Sequence, residues 1–388
     1  MKILYLLAIS PKSFISGSTQ SFLTFISSSS CKAYVVSPIY HELLYNKLNL
    51  YGIKYETINY RPFTYPCCTS FKDLILYLPR WIKILYTSIY SIYKLSLLVK
   101  KIKPDIIHSN TSTIPYGYWV AKLFKIPHIW HIREYMEKDY GLHPIPSRIY
   151  HNRRINKSYS ISITKGLAKY INAGTLNHVI YNGICSKNDI KFIPNKENYF
   201  LYVGLLDKAK GINDVLHAYI EYYNLQKSSK PLSLIIVGEG NLRNNIEYII
   251  KNEKLSQHVQ LLGGLNSIKV RELMEKATAL IMSSHHEAFG RVTAEAMFAG
   301  CLVIGKDTEG TKEQFDNGKN ITQREIGLRY STIDELSKHM INIHKNGIDK
   351  YFPMIKNAQD VVCQLYSTEE YIANIEKIYK QIIKNENN

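Results

Sequence analysis

The sequence has few acidic residues and no long uncharged apolar segment. The first feature indicates the kind of partner, and the second argues against a transmembrane helix. The uncharged apolar runs in the 388 residues stay well below the roughly 18 needed to span a bilayer, so we expect no transmembrane helix. The opening segment MKILYLLAIS has about seven apolar residues before Pro11, which favours a buried strand over a signal peptide. Only 32 Asp and Glu balance 49 Lys and Arg, and the net charge of +17 favours an anionic partner: nucleic acid, an anionic membrane face or a phosphorylated ligand.

Metal-binding and export patterns are also missing. The six cysteines lack ligand spacing, there is no Asp-x-Asp pair, and His285, His286 and Glu287 are too closely spaced to form a metal site. We therefore expect no metal cofactor. Because no export signal is visible, we expect reduced thiols and a cytoplasmic location, with peripheral contact to the inner face of the cell membrane as an extension of that prediction.

Apolar strand patterns alternate with helical patterns along the chain, which predicts an α/β fold with parallel sheets. The same alternation of strands and helices is repeated in the second half of the chain. We therefore expect two doubly wound, Rossmann-like domains that face each other across a cleft. The first domain is predicted to cover residues 1–185 and the second residues 186–364, with a helix in 365–388 that packs back on the first. The predicted strands are 2–7, 33–38, 105–110, 128–132, 160–164 and 178–183, then 199–206, 232–240, 258–264, 279–284 and 301–307.

Ligands of open parallel sheets bind at the carboxyl ends of the strands, and the motif HHEAFGRVTAEAMFAG (285–300) follows one of them. Its carboxylates Glu287 and Glu295 would lie about 12 Å apart on a helical path, too far for an acid–base pair on one bond. The amides of Phe289, Gly290 and Arg291 are expected to be free at a helix N-terminus, which favours an anion. Two hydroxyl-binding ends and a charged middle describe a nucleotide diphosphate sugar. In the simpler alternative, Glu295 is solvated and Glu287 only complements the helix dipole.

A second motif, VGLLDKAKG (203–211), also follows a predicted strand. Lys210 precedes a helix expected from about Asn213, where its ammonium can reach a phosphate; the alternative is an ordinary surface lysine. Gly238 follows the next strand and would let the backbone approach a ligand closely, although tight strand exits use glycine as well.

Taken together, these motifs resemble glycosyltransferase family 4, retaining enzymes with the GT-B fold. Residues 287–295 resemble the family's E-x7-E signature, and residues 203–211 resemble its phosphate loop. TEGTKEQFDNG (308–318) is similar to the GG-x-x-E segment, Gly17 falls in the acceptor-side glycine loop, and WHIRE (130–134) resembles the histidine segment that faces the donor sugar.

This resemblance implies roles for individual residues. Glu287 would contact the donor sugar, Glu295 the ribose hydroxyls and Lys210 the diphosphate of a UDP-sugar or GDP-sugar. His131 would lie against the sugar near the reacting carbon, and Glu287 and His131 form the catalytic group. The other residues assigned to donor binding are Lys210, Glu295, Phe289, Gly290, Arg291, Gly17 and Gly238.

The chain departs from the family pattern at three positions. Ser16-Gly17 keeps only one glycine of the usual pair in the N-terminal loop. Leu205 stands where the second phosphate-binding cation, an arginine, is usual, and Glu309 replaces the first glycine of the GG-x-x-E segment. Charge on the leaving diphosphate is then expected to rest on Lys210, the helix amides and Arg291.

The segment 71–103 mixes apolar and aromatic residues with lysine and arginine and contains no acid after Asp73. This pattern is typical of a helix in an anionic membrane interface, with Trp81 and the tyrosines at headgroup depth. The alternative is an ordinary domain helix whose apolar residues face the core.

The function implied by the resemblance is retaining transfer of a sugar from a nucleoside diphosphate to a hydroxyl of a lipid-linked or glycan acceptor, in assembly of a bacterial surface polysaccharide or lipopolysaccharide. The alternatives are a nucleotide-sugar epimerase or a phosphorylase on the same scaffold, a non-catalytic sugar-nucleotide sensor, and a nucleic-acid-binding protein. The positive charge is spread along the chain without a recognisable nucleic-acid module, so we expect no nucleic-acid partner.

Overall fold

The structure, a computed structural model, separates the chain into two compact units. It describes residues 1–9, 16–66 and 71–386, without the side chains of 72–74 and 140. The first unit combines Met1–Gly183 with Thr368–Asn388, and the second is Ile184–Ser367. Each contains one parallel sheet with helices between its strands, so the prediction of an α/β fold with two Rossmann-like sheets is confirmed.

The first unit is built on a seven-stranded sheet and a separate two-stranded one. Its strands are β1 (Lys2–Leu6), β2 (Lys32–Ser37), β3 (Lys54–Thr57), β4 (Thr64–Pro66), β5 (Ile106–Ser109), β6 (His128–Ile132), β7 (Leu142–Pro144), β8 (Tyr159–Ser162) and β9 (Asn177–Val179). Its first helices are α1 (Gly17–Ile26), α2 (Glu42–Leu50), α3 (Phe71–Ile102), α4 (Tyr116–Phe124), α5 (Glu137–Tyr140), α6 (Arg148–Ile155) and α7 (Lys165–Tyr170). The large sheet has the order β3-β2-β1-β5-β6-β8-β9, and β4 pairs with β7 in antiparallel fashion.

The second unit repeats this plan with a six-stranded parallel sheet of order β12-β11-β10-β13-β14-β15. Its strands are β10 (Glu197–Val203), β11 (Ser233–Val237), β12 (Val259–Gly263), β13 (Ala277–Met282), β14 (Leu302–Lys306) and β15 (Leu328–Tyr330). Its helices are α8 (Ile212–Gln226), α9 (Arg243–Asn252), α10 (Ser267–Lys276), α11 (Arg291–Phe298), α12 (Glu309–Thr322), α13 (Ile333–Asn346) and α14 (Phe352–Leu365). Short 3-10 turns lie at Lys187–Asp189, Lys227–Ser229 and Asp349–Tyr351.

The last helix, α15 (Thr368–Glu386), belongs to the first unit although it follows the second in sequence. One face of α15 packs into the core formed by β1 and α1 and is almost completely buried. Its buried side chains are Tyr371, Ile375, Ile378, Tyr379 and Ile382. Two of them carry hydroxyl groups into the core, which matters for the histidine cluster described below.

Several element boundaries differ from the sequence predictions. The strand expected over 178–183 is limited to Asn177–Val179. Helix α1 begins at Gly17, where the Ser16 side chain caps it. Part of the loop after β1, residues 10–15, lies outside the described residues. Short strands were missed because they lack a long apolar run: β3, β4, β7 and β15.

Helix α3 has two apolar faces. One packs on the unit through residues such as Leu95, Leu98 and Val99. The opposite face is exposed and is also apolar, with Ile75, Leu78, Ile82, Tyr86, Ile89, Tyr93 and Leu97. Within the described residues, Ile75–Ile102 is long and apolar enough to cross a membrane by length and composition, whereas counting uncharged runs suggested no such segment. Trp81, expected at headgroup depth, packs partly buried beside Phe63, Ile84 and Ile145.

Candidate active site

The loop that carries Lys210 is tied to the end of the neighbouring strand β13. The Ser283 hydroxyl donates to the Lys210 carbonyl at 2.8 Å, and the Lys210 amide donates to Asp207 Oδ1 at 2.8 Å. Gly211 has φ +68°, and a Cβ there would lie 2.1 Å from the Ser283 carbonyl oxygen. Only glycine fits this position, so the sequence Lys210-Gly211 holds the lysine at the carboxyl edge of the sheet.

The two principal charged residues of the sequence analysis meet in the structure. Lys210 Nζ donates to Glu287 Oε2 at 2.7 Å, although the residues are 77 positions apart in the chain. The side chains keep 31% and 20% of their surface exposed, so the ion pair is in contact with solvent. The sequence motifs predict separate ligand contacts for these two residues and do not indicate their pairing.

Glu287 is held by the start of α12. Its amide donates to Glu309 Oε2 at 3.1 Å, and the Gly310 amide donates to the Glu287 carbonyl at 2.8 Å. Glu309 has φ +39°, a conformation that normally favours glycine. The position where the family pattern has glycine therefore keeps the left-handed backbone, while its side chain supports Glu287.

The N-terminus of α11 differs from the sequence prediction. The Gly290 amide is not free, because it donates to Glu287 Oε1 at 3.4 Å. Since α11 begins only at Arg291, the continuous helical path assumed from Glu287 to Glu295 is also wrong. Phe289 is buried and packs edge-on against Tyr366 with ring centroids 5.4 Å apart. Its side chain therefore packs in the interior of the second unit, beneath the loop that precedes α11.

Glu295 is paired within its own helix. Arg291 Nη2 donates to Glu295 Oε1 at 3.1 Å. Desolvation raises the pKa of Glu295, and the positive charges of Arg291 and Arg271 oppose that rise. The guanidinium of Arg291, which the sequence analysis directed at the diphosphate, is thus turned toward the carboxylate assigned to the ribose.

The requirement for glycine at position 238 comes from the chain itself. Gly238 has φ +145°, and a Cβ there would lie 1.8 Å from the Gly204 carbonyl oxygen, which places the close approach at the exit of β10. Leu205 at the same exit is exposed and provides no charge.

A cation that the sequence motifs do not indicate is Lys306 at the end of β14. Its Nζ contacts Asp214 Oδ2 and His285 Nδ1, each at 2.9 Å.

His131 lies in β6 of the first unit and is 1% exposed. Its Nδ1 is 3.2 Å from His108 Nε2 and 3.3 Å from Arg133 Nη2, while its Nε2 has no hydrogen-bond partner among the described residues. Burial and the charge of Arg133 lower the pKa of His131 well below its ordinary value. The imidazole is neutral at physiological pH.

The residues after β5 and β6 form a polar frame around that histidine. Arg133 donates to Asn182 Oδ1 at 2.7 Å, to Asn110 Oδ1 at 3.0 Å and to the Tyr371 hydroxyl at 2.9 Å.

Gly17, which was assigned to donor binding, is the first residue of α1, one residue after the capping Ser16. No group of three or more His, Cys, Asp or Glu side chains suited to a metal ion occurs in the described part of the chain.

Comparisons with known proteins agree with this fold. Residues 186–361 match the family described as Glycosyl transferases group 1. The chain is 24% identical over 322 residues to the alpha-monoglucosyldiacylglycerol synthase of Acholeplasma laidlawii, covering 74% of this chain and 78% of that protein. It is 26% identical over 200 residues to an N-acetylgalactosaminyltransferase of Campylobacter jejuni whose name specifies a diphospho-undecaprenol substrate, covering 47% of this chain and 52% of that protein.

A solved structure is similar over nearly the full length. Anabaena Alr3699/HepE, in complex with UDP, superimposes with a TM-score of 0.75 at 18% identity, covering 98% of this chain and 100% of that one. The fold is therefore that of the GT-B glycosyltransferases, and the chain is a glycosyltransferase. Its second unit contains a domain of the group 1 glycosyl transferase family.

Proposed function

We propose that this glycosyltransferase moves a sugar from a nucleoside diphosphate, UDP or GDP, to a hydroxyl of a lipid-linked or glycan acceptor, with retained anomeric configuration as in family 4. The observation that carries the proposal is the meeting of Lys210 and Glu287 at the carboxyl edge of the second sheet, beside the start of α11. This edge is where open parallel sheets bind ligands. We assign donor binding to the second domain, 186–364, and acceptor binding to the first, 1–185.

In the reaction, negative charge builds on the diphosphate while the sugar ring becomes positive, and groups preorganised for that charge lower the barrier. Lys210 is the cation for the diphosphate. Its ammonium pairs with Glu287, but a partly exposed ion pair is worth only about 0–1 kcal/mol. A diphosphate can therefore displace the carboxylate from the ammonium, which frees Glu287 to contact the sugar hydroxyls.

The names of two relatives support a lipid or lipid-linked acceptor. The Acholeplasma laidlawii protein is a diacylglycerol glycolipid synthase by name, and the Campylobacter jejuni protein is named for a diphospho-undecaprenol substrate. The Anabaena protein has been solved with UDP-glucose, which supports a uridine nucleotide as the first donor to test.

Peripheral contact with an anionic membrane at the cytoplasmic face is part of the proposal, and α3 supports it. Its solvent face is an apolar stripe at helical spacing, and Lys83, Lys94 and Lys100 are exposed along the same helix. Apolar burial combined with lysines at the headgroups is how interfacial helices bind anionic lipid. The opposite, buried face anchors α3 in the unit.

Donor binding is tested by thermal unfolding with UDP, GDP, ADP and their sugars. One nucleotide series should raise the midpoint, because a ligand at 100 times its Kd adds about 2.7 kcal/mol to stability. Lys210→Ala should lose most of that shift, while Lys208→Ala, which removes an exposed lysine from the same loop, should keep it. Equal shifts in both variants would contradict the assignment of Lys210. The anomeric configuration of the product, measured by NMR, tests retention.

Membrane contact is tested by sedimentation with phosphatidylglycerol vesicles. The double substitution Ile82→Asn and Ile89→Asn should weaken partitioning about 100-fold, since each buried isoleucine contributes at least about 1.5 kcal/mol. The control, Leu225→Asn with Ile268→Asn, removes two exposed apolar side chains from the second unit and should bind like the parent. If both double variants bind equally well, α3 is not the membrane-binding surface.

A further inference from the structure

We propose that Arg133 holds His131 in the tautomer with its proton on Nε2, and that a one-way hydrogen-bond chain through His108, Tyr379 and Tyr5 supports this tautomer. The tyrosine and histidine side chains come from β1, α15, β5 and β6, so the helix at the end of the chain acts as a positioning element for a histidine some 250 residues earlier. The use of His131 toward substrate rests on the proposed function; the tautomer does not.

The direction of the chain is set by Arg133. A guanidinium has only donors, and its Nη2 lies 3.3 Å from His131 Nδ1. Nδ1 must therefore accept. The His131 ring is neutral, and a neutral imidazole that accepts at Nδ1 carries its proton on Nε2.

The accepting Nδ1 of His131 also determines which of the next groups donate and which accept. His108 Nε2 lies 3.2 Å from the same unprotonated Nδ1, where a second lone pair would be repelled, so His108 donates from Nε2 and shares that acceptor with Arg133. The ring of His108 then accepts at its own Nδ1. The Tyr379 hydroxyl is 2.6 Å from that Nδ1 and must donate to it. Tyr379 can then only accept from the Tyr5 hydroxyl, 3.2 Å away. Burial and the charge of Arg133 lower the pKa of His108 to about 3, so this ring is neutral as well.

The hydrogen-bond chain ends at the Nε2–H group of His131. The Nε2–H of His131 is buried and has no acceptor among the described residues. A buried unpaired donor costs about 1–3 kcal/mol, which is recovered when a ligand oxygen accepts from it. His131 in this tautomer is a hydrogen-bond donor to a substrate oxygen and has no lone pair at Nε2 with which to act as a general base.

The tautomers are measured by long-range 1H–15N NMR of the full-length protein labelled at histidine, with His131→Gln and His108→Gln for assignment. We expect both rings to be protonated on Nε2 at pH 7.5. Tyr379→Phe removes the donor to His108 Nδ1 and should shift His108 toward the other tautomer. It should also lower kcat about 5- to 10-fold, the effect of one hydrogen bond, with a smaller change in KM.

The matched control is Tyr45→Phe, which removes an equally buried hydroxyl of the same unit, bonded to Ser37 and Thr57. It should leave the histidine spectrum and kcat unchanged. Should Tyr379→Phe fail to fold, Tyr5→Phe removes the outermost link and is expected to cause a smaller change in the same direction.

A proton on Nδ1 of His131 in the parent protein, or an unchanged histidine spectrum in the folded tyrosine variant, would overturn the proposal. Addition of UDP and of UDP-sugar identifies the accepting oxygen, since a shift of the His131 Nε2 signal with UDP alone indicates a phosphate oxygen and a shift only with the sugar nucleotide indicates a sugar oxygen. Failure to transfer sugar from any donor, with the tautomers as stated, would reject the proposed function and leave the hydrogen-bond chain intact.

Discussion

The polar groups of the two units differ in charge and in exposure. At the edge of the second sheet, charged side chains form partly exposed ion pairs, as in Lys210 with Glu287 and Lys306 with Asp214. Around His131 in the first unit the two histidine rings are neutral, Arg133 is charged, and all three are buried and joined by directional hydrogen bonds. One unit thus presents exchangeable charge and the other presents a donor with a fixed direction.

This difference in exposure matters because water weakens a polar interaction at the surface more than one in the protein interior. Water screens a partly exposed ion pair, so it adds little to stability and is easily exchanged for a charged ligand. In a buried network each hydrogen bond is strong, but every unpaired group is costly, so the arrangement is specific. We therefore expect substitutions in the second unit to alter ligand binding and turnover, and substitutions around His131 to alter tautomers and acid stability.

The largest expected effect is on turnover when the exchangeable charge is removed. Lys210→Ala should reduce kcat by roughly one to three orders of magnitude, by analogy with the loss of one oxyanion-binding donor. Steady-state transfer to a supplied acceptor measures it, with Lys208→Ala as the control. Turnover of Lys210→Ala at the parental rate would show that another cation, such as Lys306, carries the diphosphate.

A smaller effect is expected on the acid stability of the first unit, through its buried histidine His108. The pKa of His108 falls from 6.5 to about 3 on folding, because of burial and Arg133. Above pH 6.5 both states are neutral and the group has no effect; between pH 6.5 and 3 only the unfolded state takes up the proton, so stability falls as the pH falls. From pH 7 to pH 5 the loss is about 2 kcal/mol.

His108→Gln should remove that share of the acid sensitivity, measured as the difference in urea unfolding free energy between pH 7 and pH 5. The difference, rather than the stability itself, is the quantity to compare, since the substitution also breaks two hydrogen bonds. His217→Gln, at an exposed histidine of α8, should leave the acid sensitivity as it is. If His108→Gln keeps the parental acid sensitivity, as His217→Gln should, then folding does not lower the pKa of His108.

The sequence was sufficient for features that depend on local patterns. Apolar runs predicted the strands of both parallel sheets except the short β3 and β15, and Gly290 at the start of α11 was predicted from the strand-to-helix turn. The pairing of Lys210 with Glu287 was missed because it joins loops 77 positions apart. The contact of His108 with Tyr379 was missed for the same reason, since it spans 271 positions and no short motif marks it.

The smallest expected effect sharpens the comparison most, because it separates stability from binding at one residue. Glu287→Gln should change the free energy of unfolding by no more than about 1 kcal/mol, as a partly exposed ion pair implies. The same substitution frees the Lys210 ammonium, so UDP without a sugar should bind up to about five-fold more tightly in calorimetry, which is that 1 kcal/mol converted to affinity. Turnover should fall all the same, because the sugar loses its carboxylate contact. Weaker UDP binding in this variant would show that Glu287 orients Lys210 for the phosphate rather than competing with it.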